Sequence, residues 1–350
     1  MRRIIPVLLC GLMLALTAGC DAKSSVQNSA EISESTTVSA SAESKPSENG
    51  KNSDRVFPYH LADRAEAQTL YLSNTAYFEQ SSPYDLQYKS KQKDADVETL
   101  KAYGAKQMRE FSDSEQEALH AAMDEIEAII KEKGVHLPQV EEITFIRSTQ
   151  FEECGTAYTH GTQIYMDGFI PILLKAGEEN HRRGISVILH ELFHCLTRNN
   201  PTFRREMYQL IGFQIADEEF SMPAEVAEIS ISNPDVERHD AYAAFTIGGK
   251  KVDCFLVLIA TKPFENTWDE VGDAMDIALV PVEGDADGKA YYSMNDAEDF
   301  WEVFGKNTDY VIDPEECMAD NFSFALTYGM DGGKEYRTPE IIEGVLNLLS

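Results

Sequence analysis

Apolar and polar residues recur with different periods along the chain, and these periods predict its elements. Between Ser112 and Gly134, apolar residues return every three or four positions, as on one face of an amphipathic helix. Ser112 and Glu115 have the spacing of a capping box at its start, and Gly134 is typical of a helix end. Residues 140–146 and 157–166 are predicted strands, the second because its side chains alternate.

A second predicted helix is apolar on nearly every side. Residues 187–196 have the sequence VILHELFHCL, in which two histidines and a glutamate lie among bulky uncharged residues. This pattern predicts a helix that is buried almost all round. Asn199-Asn200-Pro201 ends it, and a short amphipathic helix through Ile211 follows.

The second half of the chain is predicted to be β-rich first and helical afterwards. Residues 225–283 contain predicted strands and turns, and the C-terminal part contains predicted helices. The strands are expected at 226–231, 243–247, 252–259 and 278–282, the turns at Asn233-Pro234-Asp235 and Gly248-Gly249, and the helices near 297–304, 314–328 and 338–349.

The charge balance excludes one class of partner. The chain has 30 Lys and Arg residues against 60 Asp and Glu residues, which gives a net charge of −30. A surface of this sign repels phosphate groups, so we expect no nucleic-acid partner. Residues 56–350 are long enough for one sizeable domain.

The N-terminus has the pattern of an export signal. Arg2 and Arg3 precede a short apolar run, which ends in Ala18-Gly19-Cys20. This ending resembles a bacterial lipoprotein signal at residues 1–19, which implies that Cys20 becomes lipidated and binds the membrane. The alternative is an ordinary secretory signal. Residues 20–55 are polar and are expected to form a disordered tether, so the protein is expected at the cell envelope.

The candidate chemistry lies in the apolar helix. His190 and His194 are four residues apart, so one helical face can present both imidazoles to a single metal ion. Glu191, one residue further round, can take a proton from a metal-activated water. The alternative is that both histidines are core residues hydrogen-bonded to the backbone.

Residues 187–196 resemble the zincin metallopeptidase signature in its longer form. The metzincin continuation is absent, because CLTRNNPTF follows His194. The gluzincin type instead takes a glutamate from a later helix, with an aspartate four residues further on, and Glu316 and Asp320 fit that pattern. The resemblance implies that His190, His194 and Glu316 bind Zn²⁺, with Glu191 as general base. It also implies that Asp320 accepts the free N–H of His190.

Other assignments of the third ligand remain open. Glu316 lies much further from His194 than the few tens of residues usual in gluzincins, and the β-rich insertion 225–283 would fill that gap. Glu316 could also be a capping partner of Asp313. The alternative ligands, closer in the sequence, are Glu225, Glu228 and His239.

The resemblance also implies a fold and further roles. The fold class is expected to be α+β, a zincin-like core with a small sheet, the β-rich insertion and a C-terminal helical part. Strand 157–166 would be the sheet edge that pairs with an extended peptide, or else an ordinary strand. The candidates for stabilising the oxyanion are His239, Tyr242, Tyr310 and Tyr328.

Four cysteines remain outside the signal, at positions 154, 195, 254 and 317. Cys195 and Cys317 each follow a proposed ligand, so they could form a disulfide in an exported protein. The alternative is that they are buried free thiols.

The expected function is therefore hydrolysis of peptide or protein substrates by a lipid-anchored zinc peptidase. Two alternatives stand beside it, an inactive zincin-like lipoprotein that acts as a binding module of the envelope, and a zinc hydrolase acting on a non-peptide amide.

Overall fold

The structure is a computed structural model that describes residues 55–265, 274–284 and 288–350. The signal at 1–19, Cys20 and the tether up to residue 54 lie outside the described residues. The described part is a mixed α+β fold with helices around two small sheets. Among the described helices, none combines the length and the apolar character that crossing a membrane requires.

The helices are labelled in chain order. They are α1 (Arg64–Ser73), α2 (Thr75–Glu79), α3 (Pro83–Ser90), α4 (Val97–Ala105), α5 (Asp113–Lys133), α6 (Phe169–Leu173), α7 (Glu178–Asn199), α8 (Pro201–Gln209), α9 (Ala224–Ala227), α10 (Phe300–Phe304), α11 (Pro314–Thr327) and α12 (Pro339–Leu348). Two 3₁₀ turns cover Phe151–Glu153 and Met294–Asp296.

The strands form two sheets. They are β1 (Tyr59–Leu61), β2 (Ile143–Arg147), β3 (Tyr158–His160), β4 (Gln163–Met166), β5 (Gln214–Ile215), β6 (Ala241–Ile247), β7 (Lys250–Ala260), β8 (Met275–Pro281) and β9 (Tyr292–Ser293). The first sheet has the order β1-β2-β4-β3, in which only β3 is antiparallel to its neighbour. The second is the antiparallel sheet β5-β6-β7-β8-β9.

The sequence pattern predicted the helices well where caps mark their ends. Ser112 and Glu115 form both hydrogen bonds of a capping box before α5, and Gly134 ends that helix in the left-handed conformation. Asp313 is the N-cap of α11, with Pro314 in its first turn. The apolar face of α5 and the whole middle of α7 lie in the largest hydrophobic core.

Two predicted strands differ from the structure. Residues 157–166 form a hairpin rather than one strand, because Gly161 adopts a left-handed φ of 58° and turns the chain between β3 and β4. Residues 226–231 do not form a strand. A short helix, α9, begins after Pro223, and only Ser230 forms an isolated bridge, to Ile259.

The β-rich part is present but wider than predicted. Its strands run from β5 to β9, beyond the predicted limits 225–283 at both ends. Gly248 and Gly249 connect β6 to β7 with φ of 56° and 75°, as a two-residue hairpin turn requires. In the chain this sheet separates α7 from α11, yet the two helices pack directly against each other.

Candidate metal centre

Two helices distant in sequence build the candidate site. α7 and α11 run antiparallel, with Ser186 beside Ser323 at one end (Oγ–Oγ 3.0 Å) and His194 beside Glu315 at the other. The rings of Phe193 and Phe322 pack between the helices. The four-residue spacing of the two histidines on α7 turns both imidazoles towards α11.

Three polar atoms converge between these helices. His190 Nε2 lies 3.0 Å from Glu316 Oε2, and His194 Nε2 lies 3.7 Å from the same oxygen. The ligand atoms of these three residues all lie within 4.8 Å of one another. Zinc at about 2.0–2.1 Å from each donor needs donor–donor distances of about 3.3 Å. The separations observed therefore suit one small divalent ion.

Each imidazole forms a hydrogen bond to a carboxylate through its Nδ1 atom. His190 donates from Nδ1 to Asp320 Oδ1 over 2.9 Å, and His194 donates from Nδ1 to Glu315 Oε1 over 2.9 Å. Asp320 in turn accepts a hydrogen bond from Thr308. With both Nδ1 atoms used in this way, both Nε2 atoms face the point of convergence.

The second carboxylate oxygen of Glu316 also has a hydrogen-bond partner. The side-chain amide of Asn233 donates to Glu316 Oε1, which leaves Oε2 directed at the two imidazoles. Asn233 lies in the turn before Asp235, whose carboxylate is buried and lies 3.9 Å from His194 Nε2. Glu191, His194 and Asp235 form a second, overlapping group of close polar atoms.

Two buried atoms at the centre have no hydrogen-bond partner within the described residues. They are His194 Nε2 and Glu191 Oε2, on side chains that are 0% and 4% exposed. An unpartnered buried polar atom is costly, so such atoms indicate that another group is bound there. Two imidazole nitrogens and a carboxylate oxygen are the donor set of a His₂Glu zinc site, so these residues fit zinc.

The buried imidazoles and carboxylates of the centre shift one another's pKa values. Burial disfavours a charged imidazole, but the hydrogen bonds and charges of Asp320 and Glu316 raise the pKa of His190 well above its usual value. Burial likewise opposes charge on His194, yet Asp235 and Glu315 raise its pKa. The imidazoles in turn lower the pKa of Glu316 in spite of its burial. Without metal, protons on the imidazoles therefore compensate the carboxylates, and a divalent cation would supply the same charge.

Glu191 is distinct from the other carboxylates. Burial, followed by the negative charge of Asp235, raises the pKa of Glu191 above its usual value. A carboxylate with a raised pKa is a better proton acceptor than an ordinary one. Glu191 therefore has the environment of a general base.

A cleft of about 500 Å³ opens onto these groups. His190, Glu191, Asp235 and Glu316 are among the residues that line it. Its other walls combine backbone, apolar and charged groups, among them Gly155, Thr156, Ala157, Ile170, Val187, Phe324, Arg183 and Lys334.

Among the oxyanion candidates, two line this cleft and two do not. Tyr310 lines the cleft, and its ring stacks against that of His190 with centroids 6.0 Å apart. Tyr328 lines the cleft further out. His239 instead lines a separate cavity, and Tyr242 donates to Gln214 at the start of the second sheet.

The alternative metal ligands do not reach the centre. Glu225 and Glu228 are exposed on and beside α9, and neither belongs to a group of close metal-ligating atoms found in the described residues. His239 lines the other cavity. Glu316 does not act as a capping partner, since Asp313 caps α11 through the backbone N–H of Glu315.

The four cysteines 154, 195, 254 and 317 are buried free thiols. The expectation of buried free thiols is therefore confirmed, and Cys195 and Cys317 do not form a disulfide.

The hairpin edge at β3 is largely occupied. Its outward backbone groups are used by a neighbouring loop, since Thr159 N–H donates to Asp235 Oδ1 (2.8 Å) and Gly161 N–H donates to Glu237 Oε1 (3.2 Å). The N–H groups of Thr159 and Gly161 therefore already have acceptors and are not available to pair with an extended peptide. The backbone of residues 155–157, which lines the cleft, precedes this covered part.

Four residues of the centre carry no signal in the sequence motif. They are Asn233, Asp235, Thr308 and Glu315. Asn233 and Asp235 belong to a segment that the sequence marks only as a turn, and Glu315 is simply the neighbour of the expected ligand. Comparison of the chain with protein-family models, curated proteins and solved structures found no match.

Proposed function

We propose that the protein is a zinc-dependent peptidase of the gluzincin type, with a zincin-like core formed by α7, the first sheet and α11. His190, His194 and Glu316 would bind the zinc. The observation that carries the proposal is the convergence of their three ligand atoms within 4.8 Å, beside a buried and unpartnered Glu191 Oε2.

Zinc, when bound, would lower the pKa of a water molecule and polarise the carbonyl group of a substrate. Glu191 accepts the proton of the attacking water at Oε2 and returns it to the leaving amine. Its raised pKa suits both transfers, since the carboxylate takes up a proton readily and releases it again.

The surrounding residues orient these groups. Asp320 and Glu315 fix the tautomer and ring direction of the two imidazoles. Burial and nearby carboxylates hold the pKa of Tyr310 well above its usual value, so that its hydroxyl keeps its proton. Because the ring of Tyr310 stacks against that of His190 and lines the cleft, its hydroxyl would be the donor for an oxyanion.

Replacing Glu191 by glutamine tests the proposal. Purified zinc-loaded protein is incubated with a broad library of quenched fluorogenic peptides, and zinc content is measured on the same samples. Loss of a general base typically costs about 10²–10⁴ in rate, so we expect a loss of that size in E191Q with zinc retained.

The matched control is Glu178→Gln. Glu178 lies on the same helix, but its side chain is 83% exposed, so this variant should hydrolyse peptides at the wild-type rate. If wild type and E191Q both bind zinc and show the same background rate, the peptidase assignment is wrong, and the two alternatives that remain are a zinc-binding module and a hydrolase of a non-peptide amide.

A further inference from the structure

A buried lysine lies behind the candidate metal centre, on a helix that contributes nothing to the zinc ligands. Lys89, at the end of α3, is 1% exposed. Lysine is almost never fully buried unless it is paired. Its ammonium group forms an ion pair with Glu153 (2.8 Å) and lies 4.0 Å from Asp85.

Three side chains of the α3 region bind one short stretch of backbone. Ser82 Oγ donates to the carbonyl of Ser230 (2.6 Å), and Asp85 accepts the N–H of Ser232 (3.0 Å). Lys89 Nζ donates to the carbonyl of Ser232 (2.8 Å) and to its hydroxyl (3.0 Å). Both backbone polar groups of Ser232 are therefore fixed by buried charged side chains.

The next residue in the chain is Asn233, which reaches the metal centre. Its amide nitrogen donates to Glu316 Oε1, while its amide oxygen accepts the N–H of Asp235 (3.0 Å). One peptide unit thus separates the backbone held by Lys89 from the side chain that orients Glu316.

Lys89 also forms an ion pair with a segment whose neighbouring residues line the cleft. Its partner Glu153 lies in the segment 150–157, from which Gln150 and Gly155 line the cleft. Gln150 and Cys154 in this segment adopt left-handed φ values of 59° and 63°, which are unfavourable for non-glycine residues. Surrounding contacts must hold such a backbone in place, and the Lys89–Glu153 pair is one of them.

We propose that Lys89 is a positioning residue of the metal centre: by fixing the backbone of Ser232, it holds the Asn233 amide against Glu316 and so sets the affinity for the metal. This rests on the proposed function only in so far as Glu316 binds zinc. Loss of a residue that orients a metal ligand typically weakens metal binding about 10–100-fold.

A double-mutant cycle on zinc affinity tests the proposal without any measurement of catalysis. The dissociation constant is measured by competition with a chromophoric chelator for wild type, Lys89→Met, Asn233→Ala and the double variant. Both single variants should weaken zinc binding about 10–100-fold. Because Lys89 acts through Asn233, the double variant should bind no more weakly than N233A.

Two further variants separate positioning from general destabilisation. Leu119→Ala removes a fully buried side chain of α5 and should lower the urea concentration at the midpoint of unfolding, with the dissociation constant for zinc unchanged. Ser232→Ala removes the hydroxyl that accepts from Lys89 Nζ and keeps every buried charge, and it should weaken zinc binding about fivefold, the value of one hydrogen bond. It decides the question if K89M does not fold.

The outcomes distinguish this inference from the proposed function. If the wild-type chain binds no zinc, both the proposed function and the proposed role of Lys89 are wrong. If the wild type binds zinc but K89M keeps the same dissociation constant, or if the effects of K89M and N233A multiply, Lys89 is only structural. The same holds if K89M does not fold and S232A binds zinc as the wild type does.

Discussion

Each of the three proposed zinc ligands is oriented by a second side chain. Asp320 stands behind His190, Glu315 behind His194, and Asn233 behind Glu316. These hydrogen bonds leave one potential metal-binding atom on each ligand, and these three atoms point at one another. The arrangement matches the support that metal ligands need to keep a fixed geometry.

A buried carboxyl elsewhere allows a prediction of pH dependence. Burial raises the pKa of Glu152 from 4.5 to about 7, and its Oε2 has no hydrogen-bond partner among the described residues. The folded state therefore binds more protons than the unfolded state between these values, so the free energy of unfolding falls as pH rises from about 4.5 to 7. Above pH 7, this loss amounts to about 3 kcal/mol.

Glu152→Gln should remove that loss, because the amide stays neutral at every pH and can still accept from Tyr158. We expect E152Q to unfold at higher urea concentration than wild type at pH 8, and at nearly the same concentration at pH 5. An equal difference between the two proteins at both pH values would show that Glu152 is not protonated in the folded state.

The residues that a motif predicts and those that it misses differ for a physical reason. HExxH places His190 and His194 on one helical face and Glu191 one residue further round. Their relative positions therefore follow from the geometry of the helix alone. Asn233 and Asp235 reach the centre only because a turn is held in a particular place by distant residues. A turn pattern reports the local backbone conformation, and it contains no information about which part of the fold the side chains will face.

At the level of elements, the centre depends on how closely α7 and α11 approach. Ser186 and Ser323 meet where the helices cross, and their small side chains allow the hydroxyl groups to hydrogen-bond at 3.0 Å. His190 lies one turn after Ser186 on α7, so a change in the spacing at this contact moves His190 relative to Glu316.

Ser186→Leu should force the two helices apart. We expect it to cost about 1–3 kcal/mol of stability through overpacking, and to weaken zinc binding by at least about tenfold. Ser186→Ala is the control, which loses one hydrogen bond worth about 1 kcal/mol without added volume and should bind zinc as wild type does. Wild-type zinc affinity in S186L would show that the centre does not depend on this contact.

Local signals also explain which elements were predicted correctly. Helices α5 and α11 begin at side-chain caps, and those caps are visible in the sequence. The alternation over 157–166 was taken for one strand because period-two alternation continues across a tight turn, and only the conformation of Gly161 reveals the hairpin. The α+β class was implied by the resemblance and is confirmed, but the pairing of strands between distant segments was not predicted.

For the molecule as a whole, the excess of acidic residues has two distinct consequences. The net charge of −30 disfavours polyanionic partners. The buried carboxylates Glu191, Asp235, Glu315 and Glu316 lie around two imidazoles and Arg198, and their negative charge can be balanced by protons on the imidazoles or by a bound cation. The first consequence concerns partners, and the second allows a bound cation.

The lipid anchor is a prediction for the whole protein, and Cys20 lies outside the described residues. In bacterial cells fed an alkyne-tagged fatty acid, the wild-type protein should carry the label and sediment with membranes. Cys20→Ser should lose the label, because a serine cannot form the thioether on which acylation depends. Cys10→Ser, within the same signal, should keep it. Label retained in C20S would exclude Cys20 as the lipidated residue.

The most direct test of the central claim is X-ray absorption at the zinc edge, recorded on protein loaded with one equivalent of zinc. Two imidazoles at about 2.0–2.1 Å with oxygen donors completing the shell are expected. His194→Ala should show a single imidazole, and Glu316→Ala should bind zinc much more weakly. A spectrum without imidazole scattering, or an unchanged spectrum in His194→Ala, would contradict the assignment of His190, His194 and Glu316 as the zinc ligands.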